Sequence, residues 1–148
     1  MRISSKINKY TLLDSCFWIA LYEEKDKNHE TAQEIAEDIF KTNIVIPWPT
    51  LYEFMNTRFT KREENIINFQ RIIKNPNTFL IEDNDYRKDS LDIFFRLNLS
   101  QRKLSLVDII IRAIIEDKKI KIDTLVTFNP GDFQDICRKK RVELLDRV

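Results

Sequence analysis

Short apolar runs alternating with stretches of helical spacing constrain this chain more tightly than any single motif. The runs are Tyr10-Thr11-Leu12-Leu13, Ile44-Val45-Ile46, Phe79-Leu80-Ile81, Leu125-Val126-Thr127 and Val142-Glu143-Leu144-Leu145. Ile44-Val45-Ile46 is β-branched and stops at Pro47, a strand bounded by a breaker, and the others read as strands in the same way. Segments 31–41, 50–59, 66–73, 83–97 and 104–115 carry apolar residues at helical intervals, and a further helix follows the first run over Phe17-Trp18-Ile19. Strands joined through helices need crossover connections, which give a parallel sheet covered on both faces. At 148 residues the chain has the size of one domain with a sizeable core, and no linker or repeat divides it. The expectation is one α/β domain over residues 1–148, with a central parallel sheet of four to five short strands flanked by helices on both faces.

Four acidic residues, far apart in sequence, sit where an apolar run meets a polar turn. Asp14 ends the first run, Glu53 follows Ile44-Val45-Ile46-Pro47, and Asp132 follows Thr124-Leu125-Val126-Thr127. Asp108 lies in Leu104-Ser105-Leu106-Val107-Asp108, at the start of a helix expected to be almost fully buried. Parallel strands would gather three of these acids at the carboxyl edge of the sheet, and the helix can bring Asp108 there. Open α/β sheets bind ligands at that edge. Asp108 stands among Ile109, Ile110 and Ile111, where a charge is expensive without a partner, and no Lys or Arg near it or Asp14 offers one. A shared divalent cation held by oxygen ligands would satisfy the cluster. Each acid also has an ordinary explanation. Thr50-Leu51-Tyr52-Glu53 and Ser105-Leu106-Val107-Asp108 both have the form of a capping box, and Asp14 and Asp132 could cap the helices after them.

Composition removes most other chemistries. A single glycine, Gly131, rules out the glycine-rich loops that cradle phosphates. His29 is the only histidine and reads as an exposed helix start, so two-histidine RNA cleavage and histidine-rich zinc sites have no support. Cys16 and Cys137 form no C-x-x-C pair. Cys16 reads as core, and a reduced, cytoplasmic setting is the default. No apolar run approaches the roughly 18–20 residues that cross a bilayer, and Met1-Arg2-Ile3-Ser4-Ser5-Lys6 does not read as a signal peptide. With a net charge of +1 there is no global basic field. The local basic groups Arg58-Lys61-Arg62, Arg102-Lys103 and Arg138-Lys139-Lys140-Arg141 read as solvated faces. What remains is an all-oxygen site for Mg²⁺ or Mn²⁺, suited to activating water against a phosphodiester.

The acidic motifs taken together resemble the PIN-domain ribonucleases, and within them the VapC-type toxins. The resemblance rests on Leu12-Leu13-Asp14-Ser15, on Pro47-x-x-Thr50-Leu51-Tyr52-Glu53-Phe54, on Ser105-Leu106-Val107-Asp108, and on Leu125-Val126-Thr127-Phe128-Asn129-x-x-Asp132-Phe133. It implies a Mg²⁺- or Mn²⁺-dependent endoribonuclease that cleaves RNA by metal-activated water, restrained as a toxin by an antitoxin protein. Asp14, Glu53 and Asp108 take the family's metal-ligand positions, Thr127 matches the polar residue that orients the pocket, and Ser15 the small hydroxyl beside the first acid. Where the family commonly has a fourth acid, two residues after the threonine, this chain has Asn129. Asn129 can offer a carbonyl oxygen to a metal or its water, while Asp132 either takes the acid's place or caps a helix over 133–139.

Other readings belong to different classes. A catalytically weak PIN-like module that binds RNA or protein draws support from Asn129. A receiver-type phosphoacceptor domain wants adjacent acids after the first strand and a lysine after a late one, and Asp14-Ser15 and Thr127-Phe128-Asn129 supply neither. A haloacid-type phosphatase wants an acid where Cys16 stands. The segment from Ile35 to Arg62 carries apolar residues (Ile39, Phe40, Trp48, Leu51, Phe54 and Phe59) in excess of what a small helical pair buries, and part of it is expected to form a homodimer or antitoxin surface.

Overall fold

The computed structural model describes residues 8–148. Among these residues five strands form one wholly parallel sheet: β1 (Tyr10–Leu13), β2 (Asn43–Pro47), β3 (Thr78–Ile81), β4 (Thr124–Val126) and β5 (Glu143–Leu145). The connecting helices are α1 (Ser15–Tyr22), α2 (His29–Ile39), α3 (Trp48–Met55), α4 (Glu63–Lys74), α5 (Arg87–Asn98), α6 (Leu106–Glu116) and α7 (Gln134–Lys140). Short 3-10 turns at Arg58–Lys61 and Pro130–Asp132 complete the path. This is the α/β architecture expected from the alternating runs.

Strand order is β3-β2-β1-β4-β5, so the chain builds outward from β1 on one side and then returns to its other side. The reversal falls between β1 and β4, where Leu12 pairs with Leu125 and Leu13 with Val126. Crossovers leave β1 and β4 toward opposite faces there, and the crevice of open α/β sheets falls beyond the carboxyl ends of such strands.

The period of two along each strand divides the interior into two cores. Leu13, Ile44, Ile46 and Val126 face α1 to α4, whereas Leu12, Val45 and Leu125 face α6 and α7. The first core is aromatic. Trp18 meets Phe69 edge-on at 5.0 Å, and Phe54 lies 4.2 Å from Phe59 and 5.0 Å from Phe69. Such pairs add about 0.5–1.5 kcal/mol each beyond their buried area.

Ile39, Leu51, Phe54 and Phe59 are buried in that core, and Phe40 and Trp48 pack against it. These six side chains are thus largely enclosed, because α1 and α4 cover what α2 and α3 could not bury in each other. Within the segment from Ile35 to Arg62 the exposed apolar side chains are Tyr52 and Met55, and others lie along α5 at Leu91 and Phe95 and at Leu99 beyond it. No helix among the described residues is long and apolar enough to cross a membrane.

Helix α6 is also less buried than its composition suggests. Its 3.6-residue period puts Asp108, Arg112 and Glu116 on one stripe, while Ile110, Ile111, Ile114 and Ile115 fill the second core. His29 likewise departs from an exposed helix start. It is half-buried, with Nδ1 2.7 Å from the Ala20 carbonyl, tying α2 to α1.

The only positive φ among the described residues is not at Gly131 but at Arg141, where φ is 57° just after α7. A side chain in the left-handed region costs about 1–2 kcal/mol, and glycine is the usual residue there. Arg141→Gly should therefore raise stability by about 1 kcal/mol in urea unfolding. A stability equal to or below wild type would show that Arg141 makes compensating contacts.

Candidate active site

The crevice between β1 and β4 is floored by one buried carboxylate and one buried hydroxyl. Asp14 follows β1, and its N–H donates to the Val126 carbonyl at 3.1 Å, which extends the β1–β4 pairing past the strand end. Its Oδ1 accepts from the Ser15 N–H at 2.8 Å, so Asp14 caps α1 as the strand ending suggested. Its Oδ2 accepts from the fully buried Thr127 hydroxyl at 2.9 Å, and Thr127 accepts in turn from the Asn129 N–H at 3.1 Å.

Cys16 belongs to this wall rather than to the core. Its thiol donates to Asp14 Oδ2 at 3.4 Å, and Sγ accepts from the Phe128 N–H at 3.3 Å. Burial, reinforced by the Asp14 charge, pushes the thiol up to about 12 and keeps it a donor.

Glu53 arrives on α3. The extended Pro47 precedes that helix and Pro49 occupies its first turn, where a missing N–H costs nothing. The helix thus begins before Thr50, whose hydroxyl donates back to the Pro47 carbonyl at 2.7 Å. No capping box forms there, and Glu53 sits in mid-helix, with Oε1 accepting from the Ser15 hydroxyl at 2.7 Å. Ser15 therefore links the ends of β1 and α3, a contact between residues 38 apart in sequence.

Asp108 does complete its capping box. Its N–H donates to Ser105 Oγ at 3.0 Å, and its Oδ2 accepts from the Ser105 N–H at 3.4 Å. The structural explanation and a place at the pocket coincide, since the half-buried carboxyl acts electrostatically on both Asp14 and Glu53.

The fourth position separates Asn129 from Asp132. Asn129 is exposed, and its backbone serves the Pro130–Asp132 turn, with its carbonyl accepting from the Asp132 N–H at 3.1 Å. Asp132 is half-buried and makes no side-chain cap to α7. The capping alternative fails because Phe133 intervenes before α7. The carbonyl of Asp132 accepts from Arg112 at 2.8 Å and from Arg102 at 3.4 Å.

These two arginines, with Asp135, are what sequence reading missed. Arg112 forks onto both oxygens of Asp135 at 2.8 Å, and Arg102 reaches the same carboxylate at 3.2 and 3.3 Å. Together they hold the Asp135 carboxyl far below the usual carboxylate range. The available signal was the lone Arg112, four residues after Asp108 in an otherwise apolar helix; Arg102 is not the free solvated group it resembled.

The electrostatics of the pocket run the other way. Burial pushes Asp14 up to about 6; its bonds to Thr127, Ser15 and Cys16 oppose the rise, and the charge of Asp108 adds to it. Desolvation lifts Glu53, and Asp108 raises it further. Asp108 is lifted by desolvation and by Asp132, against its Ser105 bonds and the Arg112 charge. Among the described residues none of these four acids makes a salt bridge. No group of three or more His, Cys, Asp or Glu side chains among the described residues is arranged to hold an ion.

The family model described as the PIN domain matches residues 11–139, nearly the whole of this fold. The chain belongs to the PIN domain family. Among solved structures it is similar to VapC20 of Mycobacterium tuberculosis, described as a toxin that cleaves the sarcin–ricin loop. That match has a TM-score of 0.65 and 17% identity over 84% of this chain and 94% of that one. It is similar also to a chain of VapBC2 from Rickettsia felis, bound to a DNA fragment from its promoter, with a TM-score of 0.58 and 17% identity over 94% and 99%. No curated protein matches the chain by sequence. At this identity the solved structures establish the PIN fold.

Asp14 gives this pocket a pH signature. Its value of about 6 lies above the 3.8 of a free aspartate, so the folded chain holds the proton more tightly than the unfolded one. The resulting stability is fully present below about pH 4 and is lost as pH rises through about 6. In EDTA-treated protein, Asp14→Asn should remove that loss and exceed wild type at pH 8 by up to about 3 kcal/mol, at about 1.4 kcal/mol per pH unit. Denaturant unfolding at about pH 5 and about pH 8 checks this, and a variant less stable at both pH values would overturn it.

Proposed function

We propose that this PIN-domain chain is a Mg²⁺- or Mn²⁺-dependent endoribonuclease and the toxin of a toxin–antitoxin pair. The observation that carries the reading is the gathering of acids beyond the β1–β4 reversal: Ser15 joins Asp14 to Glu53, Asp108 acts electrostatically on both and on Asp132, and among the described residues none of the four makes a salt bridge. The donor chemistry, though not the present spacing of the side chains, suits a hard divalent cation, since every group is a carboxylate or hydroxyl oxygen. Asp14, Glu53 and Asp108 would hold the ion, with Asp132 as the fourth acid and Asn129 left at the rim. Bound there, the cation supplies the charge that makes water a nucleophile near neutral pH and stabilises charge developing on the phosphodiester.

The residues around the acids fix where those charges can stand. Thr127 and Cys16 both donate to Asp14 Oδ2 and hold its carboxylate in one orientation. Ser15 keeps Glu53 turned toward Asp14, and Ser105 restrains Asp108. Such prior positioning reduces the rearrangement needed when charge builds up in the transition state.

VapC20 is described as an RNA-cleaving toxin and VapBC2 as a complex on promoter DNA, and those descriptions support RNA as substrate and an antitoxin protein as partner here. A homodimer is the further assembly this reading implies, with the exposed side chains of Leu91, Phe95 and Leu99 as available surface. Such an enzyme acts in the cytoplasm, where its RNA is.

Cleavage of a mixed RNA pool should stop with EDTA and resume with Mn²⁺ or Mg²⁺. Asp14→Asn and Asp108→Asn should each lose at least about a hundredfold in rate while staying folded, because several kcal/mol of charge stabilisation depend on the ion they hold. Activity that survives full chelation would sink the metal mechanism. Folded wild type that binds RNA without cutting it would favour the binding-module reading.

A further inference from the structure

Two arginines converge on the turn that carries Asp132, and neither is among the groups assigned above to the ion. Arg112 projects from α6 one helical turn beyond Asp108, and Arg102 comes from the segment before α6. Both donate to the backbone carbonyl of Asp132, and both grip the carboxylate of Asp135 in the first turn of α7. Arg112 is the more buried, with 20% of its side chain exposed, and its two bonds to Asp135 are parallel and short at 2.8 Å. Forked arginine–carboxylate pairs of this kind fix geometry as well as contributing energy.

The arrangement is more than a surface ion pair. A surface pair joining two helices would leave the intervening turn free, whereas here the same guanidinium bonds the turn itself at the carbonyl of the acid in question. Asp108 and Arg112 lie on one stripe of α6, so the helix that supplies one acid to the pocket also sets the position of the next. Apart from the bonds of Arg112 and Arg102, no hydrogen bond from outside the segment holds the Pro130–Asp132 backbone among the described residues: its remaining bonds, Asp132 N–H to Asn129 and Phe133 N–H to Pro130, are local.

We infer that Arg112, braced by Asp135 and assisted by Arg102, is a positioning residue that locks the Pro130–Asp132 turn so that Asp132 stands beside Asp108. The inference rests on the metal-site reading of the acids. Its content is that Arg112 acts through Asp132 and not on the ion or the RNA. Partners of ligands typically alter metal affinity 10- to 100-fold when removed.

Calorimetric Mn²⁺ titration of full-length wild type, Arg112→Gln, Asp132→Ala and the double variant tests this, alongside thermal melts in EDTA. Arg112→Gln should weaken Mn²⁺ binding about tenfold or more. In the Asp132→Ala background the same change should weaken it no further, since the group it positions is gone. Arg112→Lys, which keeps the charge but loses the fork, should recover only part of the affinity. If Arg112→Gln does not fold, Asp135→Asn carries the same cycle, because it releases both arginines from an exposed site. Equal losses in both backgrounds, or unchanged Mn²⁺ affinity with a lowered melting temperature, would overturn the inference and leave the metal reading standing. Wild type that binds no Mn²⁺ would overturn both.

Discussion

The hydrogen bond from Thr127 to Asp14 is the contact on which the rest of the site depends. It joins the residues that follow β1 and β4, the two strands between which the sheet changes direction. Both partners are buried, so neither can exchange the bond for one to water, and losing it would strand a polar group in the interior. Asp14 also carries the first turn of α1 and the thiol of Cys16. Ser15 then passes that fixed position on to Glu53.

From this anchor the pocket grades outward in rigidity. Asp14 is held by strand pairing, Asp108 by a helix cap, and Glu53 by one hydroxyl. Asp132 hangs on a three-residue turn that depends on a guanidinium from the neighbouring helix. Asp132, on the segment with the fewest backbone constraints, is the acid whose backbone is held by side chains from elsewhere. A cluster of like charges needs such restraint, because repulsion alone would spread the flexible members apart.

Much of this was legible in the sequence, and for physical reasons. The continuous apolar runs Leu12–Leu13 and Ile44–Ile46, alternating with the helical spacing of α2 and α6, predicted a parallel sheet with two covered faces. Acids placed at run ends marked the carboxyl edge. What the sequence hid were contacts across long separations or offset by a local override. Pro49 moved the start of α3 and so dissolved the capping box that Thr50 and Glu53 spell out. Phe54 and Phe59 looked like excess apolar surface until Trp18 and Phe69, from distant segments, enclosed them. Arg102 looked solvated because Asp135, its partner, is 33 residues away.

The strand order also has a bearing on when the molecule becomes competent. Asp14, Glu53 and Asp108 are all present in a chain that has been synthesised only as far as α6, yet the floor of the crevice is not. β4 must still slot in beside β1, on the side opposite the strands already paired to it. That insertion supplies Thr127, the turn bearing Asp132, and α7 with Asp135, all within the last stretch of the polypeptide. Long-range parallel pairing of this sort forms late, after the loop-closure entropy has been met by other contacts. A nascent or truncated chain therefore carries acids without an assembled centre, and the constellation comes into being only when the whole domain closes.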